Sequence, residues 1–157
     1  MIRIALLSAA TLTLAVAAST PVHVQKNDVG ALFNHQTVSV RDLPKSAAFY
    51  EKVLGLKRIA DPFKDDLHVF FQTGALSELH LVGGVKNVEK QDIGHHMAFS
   101  VSSIDAFVGR LRSMKLTYFS SDLEEGKITI RPDGVKQVYF QDPDGYWIEV
   151  NDARRSR

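Results

Sequence analysis

The sequence predicts an α+β domain made of two copies of one β-α-β-β-β module. Three observations carry this reading. Residues 35–40, His-Gln-Thr-Val-Ser-Val, are echoed by residues 96–101, His-Met-Ala-Phe-Ser-Val. Val69-Phe70-Phe71-Gln72 is echoed by Val138-Tyr139-Phe140-Gln141. Eight residues beyond the first Gln stands His80, and eight beyond the second stands Glu149. Each copy therefore carries one potential metal ligand near its start and another near its end. The repeat points to a metal site built between the copies.

The elements of the first copy follow in order. Phe33 to Arg41 alternates as a strand does. Asp42 suits a helix N-cap and Pro44 its first turn. Ala47, Tyr50, Val53 and Leu54 recur at helical spacing, and Gly55 stands where a helix ends. Leu56 to Ala60 is extended, with Asp61-Pro62 breaking it. Leu67 to Thr73 and Leu79 to Val82 read as two further strands joined through Gly74.

Gly83-Gly84 and the polar run to Asp92 connect the copies, and the pattern restarts. Met97 to Val101 is a strand, and Ser102 or Ser103 caps a helix. That helix has the stripe Ile104, Phe107, Leu111 and Met114. Leu116 to Ser120 is expected as a strand, and Asp122 to Lys127 as a mobile charged loop. Ile128 to Ile130 and Val135 to Gln141 are extended around a turn at Asp133-Gly134. Asp142-Pro143-Asp144-Gly145 is a strong turn signal before the last strand, Tyr146 to Val150.

Composition bounds the function. The chain has 157 residues, 45% of them hydrophobic, which suits one soluble domain with a core. A net charge of +1 calls for no nucleic acid and no anionic membrane surface as partner. There is no cysteine, so disulfides, thiolate catalysis and Cys-ligated zinc are excluded and metal ligands must be nitrogen and oxygen. Residues 1–18 combine a short basic start, an apolar stretch and small residues, the pattern of a signal peptide. The apolar stretch is short of the roughly 20 residues a membrane span needs, so no stable membrane anchor is expected after cleavage. The expected layout is a signal peptide at 1–18, a spacer at 19–32, one domain at 33–152 with modules 33–84 and 94–152, and a frayed tail at 153–157. The mature protein is expected to be exported, periplasmic or secreted.

The run Val40-Arg41-Asp42-Leu43-Pro44-Lys45-Ser46-Ala47-Ala48-Phe49-Tyr50, followed by Val53-Leu54-Gly55-Leu56, resembles the first helix of vicinal oxygen chelate proteins. That superfamily includes glyoxalase I, bleomycin-resistance proteins and extradiol dioxygenases. The ending Tyr139-Phe140-Gln141-Asp142-Pro143-Asp144-Gly145-Tyr146-Trp147-Ile148-Glu149-Val150 resembles its closing hairpin. The resemblance covers about residues 33 to 152. It implies two paired modules forming a curved mixed sheet around a metal site, within one chain or across a swapped homodimer. It puts the ligand places at His35, His80, His96 and Glu149, the same four residues that the repeat selects.

Each of the four has a bland reading. His35 alone reads as a surface histidine, and its match to His96 makes it a ligand. His95 and His96 face opposite sides of a strand, and the match selects His96. Glu149 between Ile148 and Val150 is costly on the core side unless paired or bound to metal. Glu78 shares a strand face with His80, so it is the alternative ligand or a group steering His80. His68 and His23 read as surface and spacer residues. Tyr50, Phe49, Phe107, Leu111 and Trp147 read as packing, and Arg131 as a solvated loop cation. Tyr139 is a weaker candidate for a hydroxyl near the metal.

Three His and one Glu suit a divalent Zn, Ni, Co, Mn or Fe ion with open positions for a small-molecule substrate. The resemblance then implies a glyoxalase I-like lyase or isomerase, with Glu149 able to take a proton from a substrate such as a 2-oxoaldehyde hemithioacetal. The alternatives are an Fe(II) extradiol-type dioxygenase using two His and one Glu, and a non-catalytic antibiotic-binding protein.

Overall fold

The computed structural model describes residues 30–153. The expected signal peptide at 1–18, His23, and all of the expected spacer except Gly30 to Leu32 lie outside the described residues, as does the tail beyond Ala153. No helix among the described residues is long and apolar enough to cross a membrane.

The first module runs β1 (His35–Ser39), α1 (Leu43–Phe49), β2 (Lys57–Ile59), β3 (His68–Gln72) and β4 (Glu78–Val82). The second runs β5 (His96–Ser100), α2 (Ile104–Ser113), β6 (Thr129–Ile130), β7 (Lys136–Gln141) and β8 (Trp147–Asn151). Each module folds one four-stranded sheet, and the strand orders match: β1-β4-β3-β2 and β5-β8-β7-β6. In both, the first strand lies parallel to the last and the remaining pairs are antiparallel. The paired modules therefore stand as two mixed sheets, with β1 and β5 at their edges. A helical crossover is what a parallel pair requires, and α1 and α2 supply it.

Local signals decide the helices. Asp42 caps α1 by accepting from the Lys45 N–H at 3.0 Å, and Ser103 caps α2 by accepting from the Ala106 N–H at 3.2 Å. The helical run after α1 widens into a π turn at Tyr50–Leu54 and ends on Gly55, whose φ of 71° is the left-handed region glycine adopts without strain. Ile104, Phe107, Val108 and Leu111 form the buried stripe of α2. Met114 falls outside it: it is the C-cap of α2 and 41% exposed. Leu116 to Ser120 does not form a strand ladder either. Only Phe119 bridges, to Glu125 and Tyr139. The backbone there spends its remaining bonds on a tight turn, with Ser120 N–H donating to Glu124 C=O and Gly126 N–H to Tyr118 C=O. The Ser120 hydroxyl accepts from Asp122 and Glu124, so the charged loop is anchored rather than free.

One hydrophobic core spans both modules, with Val38, Tyr50, Phe71 and Leu81 from the first and Ile104, Phe140, Ile148 and Val150 from the second. The modules are also clasped by polar groups. Asp144 accepts from the Arg41 guanidinium at 2.7 Å and from the Ser46 hydroxyl at 2.9 Å. The buried Tyr50 hydroxyl donates to Asp142 at 2.9 Å, and the Tyr146 hydroxyl donates to the Ser39 carbonyl at 3.0 Å. The Asp-Pro-Asp-Gly turn thus serves both as a turn and as the joint onto α1. Burial, then the nearby Asp142, pushes the Tyr50 phenol well up, so it stays a donor.

Candidate metal centre

Strand alternation puts Tyr139 and Gln137 on one face of β7, and Glu149 and Asn151 on the matching face of β8. Register completes the arrangement, with Tyr139 opposite Glu149 and Gln137 opposite Asn151. The Glu149 side chain is only 9% exposed, and an ionised carboxylate there needs partners. It has them. Oε1 accepts from Asn151 Nδ2 at 2.7 Å, and Oε2 accepts from the Tyr139 hydroxyl at 2.5 Å. Burial and the Glu149 carboxylate push the Tyr139 phenol up, which keeps it a donor.

His96 begins β5 and faces the same carboxylate. Its Nδ1 lies 2.7 Å from the Ile93 carbonyl, which can only accept, so Nδ1 carries the proton. In the neutral ring Nε2 is then a lone pair, and it sits 3.3 Å from Glu149 Oε2. Two acceptors at that distance repel unless a cation, either a proton or a metal ion, lies against both. An imidazole oriented by a backbone carbonyl beside a carboxylate held by fixed donors suits a divalent metal.

The first module presents a different half. His35 and His80 stack with ring centroids 4.3 Å apart. Phe70 packs on the other side of His80 at 4.0 Å, and Phe63 stacks on His68 at 4.5 Å, so rings line this sheet face from Phe63 to His35. His80 Nε2 lies 2.7 Å from Glu78 Oε2. Glu78 therefore sits where a steering group or a competing ligand would. His68 is not the plain surface residue expected, since it joins the ring series and pairs with Asp65 at 2.8 Å.

The strand register makes the two halves equivalent. Thr37 lies beside His80 as Ala98 lies beside Glu149, and Phe70 lies opposite His80 as Tyr139 lies opposite Glu149. Among the described residues no three His, Cys, Asp or Glu side chains come together to hold a metal ion. The four expected ligands thus form two pairs, His35 with His80 and His96 with Glu149.

The remaining candidates fall into place. His95 is exposed and precedes β5. Arg131 pairs with Asp133 at 2.7 Å. Tyr50, Phe107, Leu111 and Trp147 are buried, and Phe49 packs against the core. Asn151 and Gln137 had no place in the sequence reading. The signal was available, because both stand two residues from a residue already singled out and share its strand face.

The chain was compared with known proteins. The family model described as "Glyoxalase/Bleomycin resistance protein/Dioxygenase superfamily" matches residues 32–150. The chain is 30% identical over 139 residues to "Glyoxylase I 4" of Arabidopsis thaliana, covering 85% of this chain and 74% of that one. It is 30% identical over 123 residues to "Metallothiol transferase FosB" of Lysinibacillus sphaericus, covering 75% and 79%. The solved structure "Oxidase ChaP-H2" superposes with a TM-score of 0.66 at 26% identity, covering 80% of this chain and 96% of that one. The matched model spans both modules and both candidate pairs: the chain belongs to the glyoxalase/bleomycin resistance/dioxygenase superfamily.

Proposed function

We infer that the protein is a divalent-metal-dependent lyase or isomerase of the glyoxalase I type, acting on a small oxygen-chelating substrate such as a 2-oxoaldehyde hemithioacetal. One observation carries the reading: His96 Nε2 and Glu149 Oε2 face each other at 3.3 Å, with Nδ1 held by the Ile93 carbonyl and both carboxylate oxygens held by donors. The kinship with "Glyoxylase I 4" supports the reaction type.

His35, His80, His96 and Glu149 would hold the metal. Because no three such side chains come together among the described residues, a second copy would supply the missing pair. The edge strands β1 and β5 that carry His35 and His96 are the natural meeting line, since an unpaired edge offers its backbone groups to a partner. A twofold dimer then forms two equivalent sites.

When bound, the metal polarises the substrate oxygens and stabilises negative charge beside them. Glu149 takes the proton from the hydroxyl-bearing carbon and returns it to the neighbouring carbonyl carbon, while the hydroxyl proton passes to the former carbonyl oxygen, so the step is a net isomerisation with no redox partner. The buried setting limits access of bulk water to that proton.

The test is elemental analysis of protein purified without chelator, together with turnover of a methylglyoxal–thiol hemithioacetal. The expected result is about one divalent ion per chain and a thioester product. A metal content near zero, with no thermal stabilisation by added Ni²⁺, Zn²⁺, Co²⁺, Mn²⁺ or Fe²⁺, would contradict it.

One observation favours a second reading. Glu78 occupies His80 Nε2 at 2.7 Å. If it keeps that contact, His35, His96 and Glu149 remain as a two-His, one-carboxylate set of the kind Fe(II) oxygenases use. The similarity to "Oxidase ChaP-H2" supports this alternative. Oxygen consumption with a catechol separates the two.

Export belongs to the same proposal and rests on residues 1–18. Mass spectrometry of the mature protein should find an N-terminus near Ala18 or Ser19, and retention of Met1 would contradict it.

A further inference from the structure

We propose that Gln137, Tyr139 and Asn151 are positioning residues that hold the Glu149 carboxylate aimed at His96 Nε2 before a metal arrives. The proposal rests on the metal reading above and extends it to three residues outside the ligand set.

The direction of every bond in the network is fixed. Asn151 Oδ1 accepts from the Ser100 hydroxyl at 3.2 Å and from the Ala153 N–H at 3.2 Å. Its Nδ2 must therefore donate, and it donates to Glu149 Oε1 at 2.7 Å. Gln137 Nε2 donates to the Tyr139 oxygen at 2.8 Å. With that lone pair occupied, the Tyr139 hydroxyl turns its hydrogen to Glu149 Oε2 at 2.5 Å. Gln137 thus acts on Glu149 through Tyr139. The result is a carboxylate held at both oxygens by donors, with a lone-pair direction of Oε2 left for the His96 side.

The repeat supplies an internal control. By strand register the first module places His68, Phe70 and Val82 where the second places Gln137, Tyr139 and Asn151. That sheet has the same strand order and the same pairing with Phe and Val at two of the three positions. The fold does not require the polar groups. What differs between the modules is the ligand they surround, His80 in one and Glu149 in the other. Buried polar side chains are costly unless bonded, so their concentration around Glu149 follows the needs of the carboxylate.

The test uses the full chain with Co²⁺, whose visible d–d absorption reports ligand number and geometry. Tyr139→Phe is the main variant, because it installs the ring that the first module carries at this register. The expected result is a Co²⁺ affinity lower by about 10-fold, the size typical of lost partners behind a metal ligand, with an altered d–d spectrum. Gln137→Leu should show the same change in weaker form, and the double variant should match Tyr139→Phe alone, since Gln137 works through Tyr139. A variant with a lowered melting temperature but unchanged Co²⁺ affinity and spectrum would overturn the proposal while leaving the metal site standing. Wild-type protein that takes up no Co²⁺ would overturn both. If Tyr139→Phe fails to fold, Asn151→Leu reads the other oxygen of the same carboxylate with the same two outcomes.

Discussion

His80 and Glu149 occupy the same place in the two halves of the chain. Each lies on the last strand of its sheet, opposite an aromatic residue of the preceding strand, Phe70 or Tyr139, and beside a small residue of the first strand, Thr37 or Ala98. Their surroundings have diverged. Glu149 is held by amide and hydroxyl donors, whereas His80 lies between two rings and touches one carboxylate, that of Glu78.

This equivalence makes His80, and not Glu78, the expected ligand. His80→Ala should lower metal affinity steeply, because a ligand is lost. Glu78→Ala should change it by about 10-fold or less, the effect of a steering group. Metal titration against a chromophoric chelator measures both. If Glu78→Ala strips the metal while His80→Ala does not, the ligand assignment in the first module is wrong.

The clasp between the modules predicts a dependence on pH. Burial works against the ionised Asp144 carboxylate, but Arg41, backbone donation and Ser46 outweigh it and hold its carboxyl below the usual value of 3.8. A lowered folded value means that the unfolded chain takes up the proton first as pH falls. The contribution of Asp144 is therefore complete above the usual carboxylate range and lost as pH falls through the lowered value. Asp144→Asn should cost about 1–2 kcal/mol near neutrality, since Arg41 is half-exposed and the pair is partly screened. Urea unfolding should show the gap to wild type shrinking at acid pH. A gap independent of pH would contradict the clasp.

Asp142 runs the other way. Burial raises its carboxyl, with backbone and Tyr50 donors only partly offsetting this. A raised folded value gives a contribution complete below the usual range and lost as pH rises through the raised value. The Tyr50 hydroxyl has Asp142 as its partner in a fully buried site. Asp142→Ala, which leaves that hydroxyl without an acceptor, should cost roughly 1–3 kcal/mol, and combining it with Tyr50→Phe should recover part of the loss. Additive losses in the double-mutant cycle would show that the pair does not interact.

The repeat made the fold legible in the sequence, together with the equivalence of His35 with His96 and of His80 with Glu149. The equal eight-residue spacing from Gln72 to His80 and from Gln141 to Glu149 matches the last two strands of each module in register, and a slip of one residue would turn Glu149 and Tyr139 to opposite faces. What stayed hidden depends on tertiary context. Leu116 to Ser120 has strand composition, yet only Phe119 bonds to a strand, and Tyr118 and Ser120 bond into a tight turn. Met114 continues the apolar spacing of α2 but lies past the last turn that faces the core. Asn151 and Gln137 are ordinary polar residues in sequence, and only the pairing of β7 with β8 brings Asn151 to Glu149 and Gln137 to the Tyr139 hydroxyl that Glu149 accepts from. The grouping of the candidate ligands as His35 with His80 and His96 with Glu149 could not be read at all, since residue spacing does not say whether two sheets of one chain face each other.

That grouping is the centre of the account, and a mixing experiment tests it most directly. His80→Ala damages the first-module half of a site, and Glu149→Gln damages the second-module half. Each variant alone should bind little metal. If sites form between copies, a mixed dimer pairs the intact first module of one chain with the intact second module of the other. Random exchange of equal amounts should then restore about a quarter of the wild-type metal content, one site in each mixed dimer. Wild-type protein that holds metal, with no recovery on mixing the two variants after verified subunit exchange, would place the site within one chain and contradict the account.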